Sequence, residues 1–174
     1  TLAMTAKARE LKAQGKDVIS LSIGEPDFNT PEMVKEAAKK AIDDNFTHYP
    51  AVAGYADVKE AICAKLNRDN GLDYTPEQIV VSTGAKQSIY QLAQCLVNPG
   101  DEVIIPTPFW VSYKEIVRAA EGNCVYVKTD INNDFKVTAA QLEAAITPKT
   151  KMIMFSSPSN PTGMLYTKEE LKAI

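Results

Sequence analysis

From Ile79 to Phe155 the sequence repeats one unit: a short, wholly apolar run, then a stretch with helical spacing. The runs are Ile79-Val80-Val81, Val103-Ile104-Ile105, Val125-Tyr126-Val127 and Met152-Ile153-Met154-Phe155. A strand that is apolar on both faces must be covered on both faces, and the segments between the runs supply helices that do so. Ala85 to Val97 carries Ile89, Leu92, Ala93 and Leu96 on one side of a helix. Val111 to Ala120 reads as a second helix that Gly122 closes. Thr138-Ala139-Ala140-Gln141 is a capping box opening a third, to Ile146. Thr167 to Glu170 repeats the box ahead of a last helix. The pattern predicts an α/β fold with a largely parallel sheet between helices.

Upstream the rhythm changes. Thr1 to Gln14 has helical spacing and Gly15 stops it; Val18 to Ile23 reads as a short extended run. Gly24 to Asn29 is a turn-rich loop. Thr30 is expected to cap a helix with Pro31 at its first position, where a missing N–H costs nothing. Val34, Ala38 and Ile42 stripe that helix. A loop from Asn45 to Ala53 follows. Val58, Ile62 and Leu66 stripe the next helix, which Gly71 ends. The change of pattern sets 1–30 apart as an N-terminal segment and assigns 31–174 to the α/β domain. Composition closes off other classes. With 45% hydrophobic residues and a net charge of −3, the chain is not disordered and offers nucleic acid no basic surface. No stretch approaches the roughly 18 apolar residues of a membrane span. Cys63, Cys95 and Cys124 are scattered and odd in number, so they are expected as small buried thiols in a reducing compartment. A single histidine, His48, leaves no ligand set for a structural zinc.

In sheets of this kind ligands bind at the carboxyl ends of the strands. The loop after Ile79 to Val81 is Ser82-Thr83-Gly84-Ala85-Lys86-Gln87-Ser88. A small-residue turn into a helix N-terminus offers free N–H groups and a favourable dipole to an anion such as phosphate. Lys86 and the hydroxyls of Ser82, Thr83 and Ser88 are further candidate donors. The loop matches neither the dinucleotide nor the P-loop fingerprint, and by itself it equally describes a plain helix start. The loop after Val103 to Ile105, Pro106-Thr107-Pro108-Phe109-Trp110, holds the chain's one Trp. That ring is either a stacking face for a flat ligand or a piece of core. The loop after Met152 to Phe155 runs Ser156 to Gly163 and includes Asn160-Pro161-Thr162-Gly163, either an amide donor beside the same edge or an unremarkable turn.

Taken in order, Gly24-Glu25-Pro26-Asp27-Phe28, Tyr49 before Gly54, Ser82 to Gln87, Pro106 to Tyr113 and Ser159 to Gly163 form one set. The chain resembles, over essentially its whole length, the N-terminal part of a fold type I pyridoxal-phosphate aminotransferase of class I/II. Among these it is most similar to bacterial aspartate aminotransferases with a lysine in the phosphate loop. The resemblance implies an α/β/α large domain with a mostly parallel sheet, here incomplete, and places 1–30 with the small domain. It implies pyridoxal 5'-phosphate as cofactor. Gly84 and Ala85 would bond its phosphate through their N–H groups, with Lys86 alongside. Trp110 would stack on its ring and Asn160 would donate to its 3'-oxygen. Tyr49 would reach the phosphate of the neighbouring subunit, which implies a homodimer with shared sites. Gly24, Lys86, Trp110, Asn160 and Thr1 would line the substrate, Lys86 and Thr1 receiving the side-chain carboxylate of an acidic amino acid.

The implied activity is transfer of an amino group between an amino acid, aspartate above all, and a 2-oxo acid, 2-oxoglutarate, in the cytoplasm. Neither nucleic acid, membrane nor metal is an implied partner. The family's cofactor-bearing lysine, and the arginine that grips the α-carboxylate, match no residue of 1–174. The chain is therefore expected to be the front part of a longer enzyme, cut at both ends and inactive alone. Two other readings stay open: a pyridoxal-phosphate β-lyase or aminotransferase of different specificity, and a non-catalytic ligand-binding domain. Lys86 also fits a solvated or phosphate-touching residue. His48, Glu25 and Asp27 read as loop and turn residues.

Overall fold

The computed structural model describes residues 2–21, 24 and 26–174. By its internal packing the chain forms two compact units, Thr1–Pro50 and Ala51–Ile174. In the first, helix α1 spans Leu2–Ala13 and α2 spans Glu32–Asp43. Gly15, at φ 77°, turns the chain out of α1, as its sequence position predicts. Residues 16–21 form no strand, and Ser22 and Ile23 lie outside the described residues. The cap expected at Thr30 is not made. Pro31 is itself the cap residue, with an extended ψ of 142°, and no side chain caps the end. Its carbonyl accepts the N–H groups of Val34 and Lys35, so the helix starts one residue later than the sequence suggested and leaves Thr30 behind. The stripe of Val34, Ala38 and Ile42 stays exposed in this unit.

The second unit holds α3 (Ala56–Asn70), α4 (Ala85–Leu96), β1 (Glu102–Thr107), α5 (Ser112–Ala119), β2 (Asn123–Lys128), α6 (Ala139–Ala145), β3 (Thr150–Ile153) and α7 (Lys168–Ala173). Gly71 ends α3 in the left-handed conformation, φ 64°, its N–H on the Asn67 carbonyl. The three strands are parallel in the order β2-β1-β3, with Ile104 opposite both Val125 and Ile153. The run Ile79-Val80-Val81 is not a fourth strand. Its start is extended, but the Val81 N–H goes to the Ala53 carbonyl at 3.0 Å and Val80 is 68% exposed. An apolar extended run becomes a strand only beside a ladder partner, and none of the described residues pairs with it.

The central strand β1 divides the core. Val103 and Ile105 face one cluster with Ala93 and Val97 at α4, Ile116 and Val117 of α5, and Met154. Ile104 faces the other, with Val127, Val137, Leu142 of α6 and Tyr166. Side chains alternate across a strand, so this three-residue apolar run serves both layers, and all three residues are fully buried. Helix α4 presents only part of its expected face. Ile89, Ala93 and Val97 lie a turn apart and pack on the core, whereas Leu92 and Leu96 are half exposed on the neighbouring row. Cys95, on the uncovered side, is exposed rather than buried, and Cys63 and Cys124 are half-buried; all three are free thiols. A Cβ on Gly122 would stand 2.5 Å from Val97 Cγ1, so the glycine lets the turn after α5 close against the end of α4. Both capping boxes form: Thr138 with Gln141, and Thr167 with Glu170. Among the described residues no helix is long and apolar enough to cross a membrane.

Candidate active site

Gly84 caps α4 with φ 83° and ψ 161°, a conformation that favours glycine, and it brings no side-chain acceptor. The first helical N–H groups, at Ala85 and Lys86, have no carbonyl a turn earlier to accept them. A Cβ built on Gly84 meets nothing within 4 Å, so the space beside this residue is open. The rest of the loop is tied locally. The Ser82 and Ser88 hydroxyls bond to each other, and the Thr83 N–H donates to Gln87 Oε1. Ser82 and Ser88, read from sequence as candidate anion donors, thus share one hydrogen bond that braces the turn.

The loop after β1 joins this end through Lys86, whose Nζ stands 5.0 Å from the centre of the Trp110 ring. A cation over an indole face is attractive by about 0.5–1 kcal/mol at exposed sites. Trp110 is half-buried: it touches the core beside β1 and meets Tyr113 edge-on, 5.6 Å away at 88°. The core reading of Trp110 therefore holds in part, and Lys86 stands over the ring. Phe109 stacks on Tyr126 with centroids 5.4 Å apart, fixing the backbone just before it. The loop after β3 brings the third element. Asn160 is exposed, with its N–H on Ser156 Oγ at 3.2 Å. A small pocket lies between the two loops, walled by Pro108, Phe109, Tyr113, Ser156, Ser159 and Asn160.

Lys86 near the start of α4 thus meets Trp110 in the loop after β1, and Asn160 in the loop after β3 shares a pocket with Pro108 and Phe109. Gly24 and the fully exposed Tyr49 belong to the Thr1–Pro50 unit, and Thr1 lies outside the described residues. Tyr113 and Gln87 were given no role by sequence reading. Their signal was spacing: Tyr113 follows Trp110 by three residues and donates its N–H to the Trp110 carbonyl, and Gln87 stands third in α4, where a side chain reaches back to the cap. Among the described residues no cluster of His, Cys, Asp and Glu is arranged to hold a metal ion. Free helical N–H groups, a neighbouring ammonium and a half-open indole face form a donor set that fits a phosphate joined to a flat ring.

The family model for aminotransferase class I and II matches residues 16–174. The chain belongs to that family. It is 56% identical over all 174 residues to an aspartate/prephenate aminotransferase of Cereibacter sphaeroides, and 55% to an aspartate aminotransferase of Geobacillus stearothermophilus. In both alignments it covers 44% of the relative, so the chain spans less than half the length of the curated relatives it matches. Among solved structures, an aspartate aminotransferase from Thermus thermophilus with maleate superposes with a TM-score of 0.94 at 47% identity, over 99% of this chain and 45% of that one. The parallel sheet between helices is the α/β fold that the sequence pattern predicts, and its α/β/α layering, incomplete at three strands, is what the resemblance implies.

Proposed function

We propose that the full-length protein is a pyridoxal 5'-phosphate-dependent aminotransferase that moves an amino group between aspartate and 2-oxoglutarate. The observation that carries this reading is the placement of Lys86 over Trp110 at the start of α4. One short stretch of space holds a cation, a flat ring and unpaired helical donors. When bound, the cofactor supplies the electron sink that makes an amino acid's α-proton removable. Gly84 and Ala85 hold the phosphate through backbone N–H groups. Trp110 covers one face of the ring, and Asn160 donates to the ring's 3'-oxygen. Lys86, with Thr1 and Gly24, orients an anionic side chain in the substrate. Tyr49 serves the phosphate of a second copy, which makes the working protein a homodimer. We assign 1–30 to the small domain and 31–174 to the large one, and the whole to the cytoplasm. The lysine that carries the cofactor is assigned to the part of the relatives' length that 1–174 does not span, and 1–174 alone is inactive. Prephenate as a second oxo-acid substrate is favoured by one observation, the pairing of aspartate and prephenate in the name of a relative.

The test is a transamination assay of the full-length protein with wild type and Lys86→Ala. We expect KM for aspartate to rise roughly tenfold in the variant, as loss of one charge-assisted contact implies, with little change for a neutral amino acid. Equal losses for both substrates sink the role of Lys86. A protein that takes up no pyridoxal phosphate sinks the whole reading.

A further inference from the structure

The loop that carries Asn160 is held by hydroxyl groups to which the proposed function gives no part. Ser156 Oγ accepts the Asn160 N–H, and Ser157 Oγ accepts the Tyr166 N–H at 3.1 Å. Between them the loop closes on itself: the Ser159 N–H reaches the Met164 carbonyl and the Gly163 N–H the Ser159 carbonyl, both at 2.8 Å. Tyr166 is the far anchor. It is buried in the cluster under α6, edge-on to Phe155 with ring centres 5.5 Å apart. Its phenol oxygen accepts the Val137 N–H at 2.7 Å. That bond is buried, and removing the acceptor leaves a backbone donor without water or partner. Tyr166 is therefore fixed by the residue just before the α6 cap, on the helical layer opposite α4 and α5. It transmits that position to the loop through Ser157, and it lines the same pocket as Asn160.

We propose that Tyr166 is a positioning residue for Asn160. Its hydroxyl, latched on Val137, and its N–H, latched on Ser157, set where the loop sits and hence where the Asn160 amide is presented to the cofactor's 3'-oxygen. The inference rests on the functional reading above. A hydrogen bond weakens steeply with misalignment, so a loop displaced by a fraction of an ångström delivers a poorer donor without losing its fold.

The experiment uses the full-length protein loaded with pyridoxal phosphate, and follows the pH midpoint of the cofactor's absorbance change. A donor at the 3'-oxygen favours its ionised form, so removing the donor raises the midpoint. Asn160→Ala is expected to raise it by about one unit or more. Tyr166→Phe, which keeps the ring and deletes only the latch, is expected to raise it in the same direction by about a third of that. It should also speed amide exchange across 156–165 in the cofactor-free protein. Ser157→Ala should do the same, and it carries the test where Tyr166→Phe fails to fold. Midpoints unmoved in both latch variants, while Asn160→Ala shifts, overturn the inference and leave the functional reading standing. An unmoved midpoint in Asn160→Ala, or no cofactor uptake by wild type, overturns both.

Discussion

Lys86 and Gly84 act within three residues of one another and in different ways. Gly84 contributes by what it lacks: at φ 83° a side chain is strained, and nothing stands within 4 Å of where its Cβ would be. Gly84→Ala is expected to cost stability by about 1 kcal/mol and to weaken phosphate binding, read by denaturation and by cofactor titration. Lys86 places its charge on the indole face of Trp110. Because Trp110 is the one tryptophan, its emission tests its place in the proposed site without labelling. Pyridoxal phosphate added to the cofactor-free protein should quench that emission, and Lys86→Met should change its intensity before any ligand is present. Emission indifferent to both would remove Trp110 from the site. Gly122→Ala tests close approach instead: with Val97 in the way, it should destabilise the fold by about 1–3 kcal/mol and leave cofactor affinity unchanged.

Helices α6 and α7 share one starting device. Thr138 accepts the Gln141 N–H and Gln141 returns the bond to the Thr138 N–H, and Thr167 and Glu170 repeat it. Thr138→Ala should lower stability by about 1 kcal/mol in urea denaturation, with an unchanged m-value. In α7 the device is charged. The Thr167 backbone N–H, then Lys136, hold the Glu170 carboxyl below the usual glutamate range. A depressed carboxylate contributes stability above its unfolded value and loses it as pH falls through the folded one. So α7 should be firm at neutral pH and loosen on acidification below the ordinary carboxylate range. An NMR titration of the Glu170 carboxyl should give a midpoint below that of free glutamate, and Lys136→Met should move it back part of the way. A midpoint at or above the free value would refute this account.

The whole Ala51–Ile174 unit rests on one strand read from both sides. Val117 packs with Val103 and Ile105, and Ile104 packs with Leu142 and Tyr166 across the sheet. Because the sheet separates these clusters, Ile104→Val and Val117→Ala should add in the double variant to within about 0.5 kcal/mol, each measured by denaturation. A larger coupling would mean that the two layers respond as one core. The sequence alone determined the order of apolar runs and helices, the capping boxes and the loops at the strand ends, because these rest on contacts within a few residues. It also named Gly84, Trp110 and Asn160 through local motifs. It could not decide which apolar run finds a ladder partner, so Ile79 to Val81 read as a strand and is not one. Nor could it tell which row of α4 meets the core, which left Leu92 and Cys95 assigned inward, or that Lys86 lies over Trp110 and that Tyr166 latches the Asn160 loop to Val137. Those depend on residues distant in sequence and adjacent only once the sheet is assembled. Pairing and packing are set by what stands opposite a residue, and only the tertiary structure places it there.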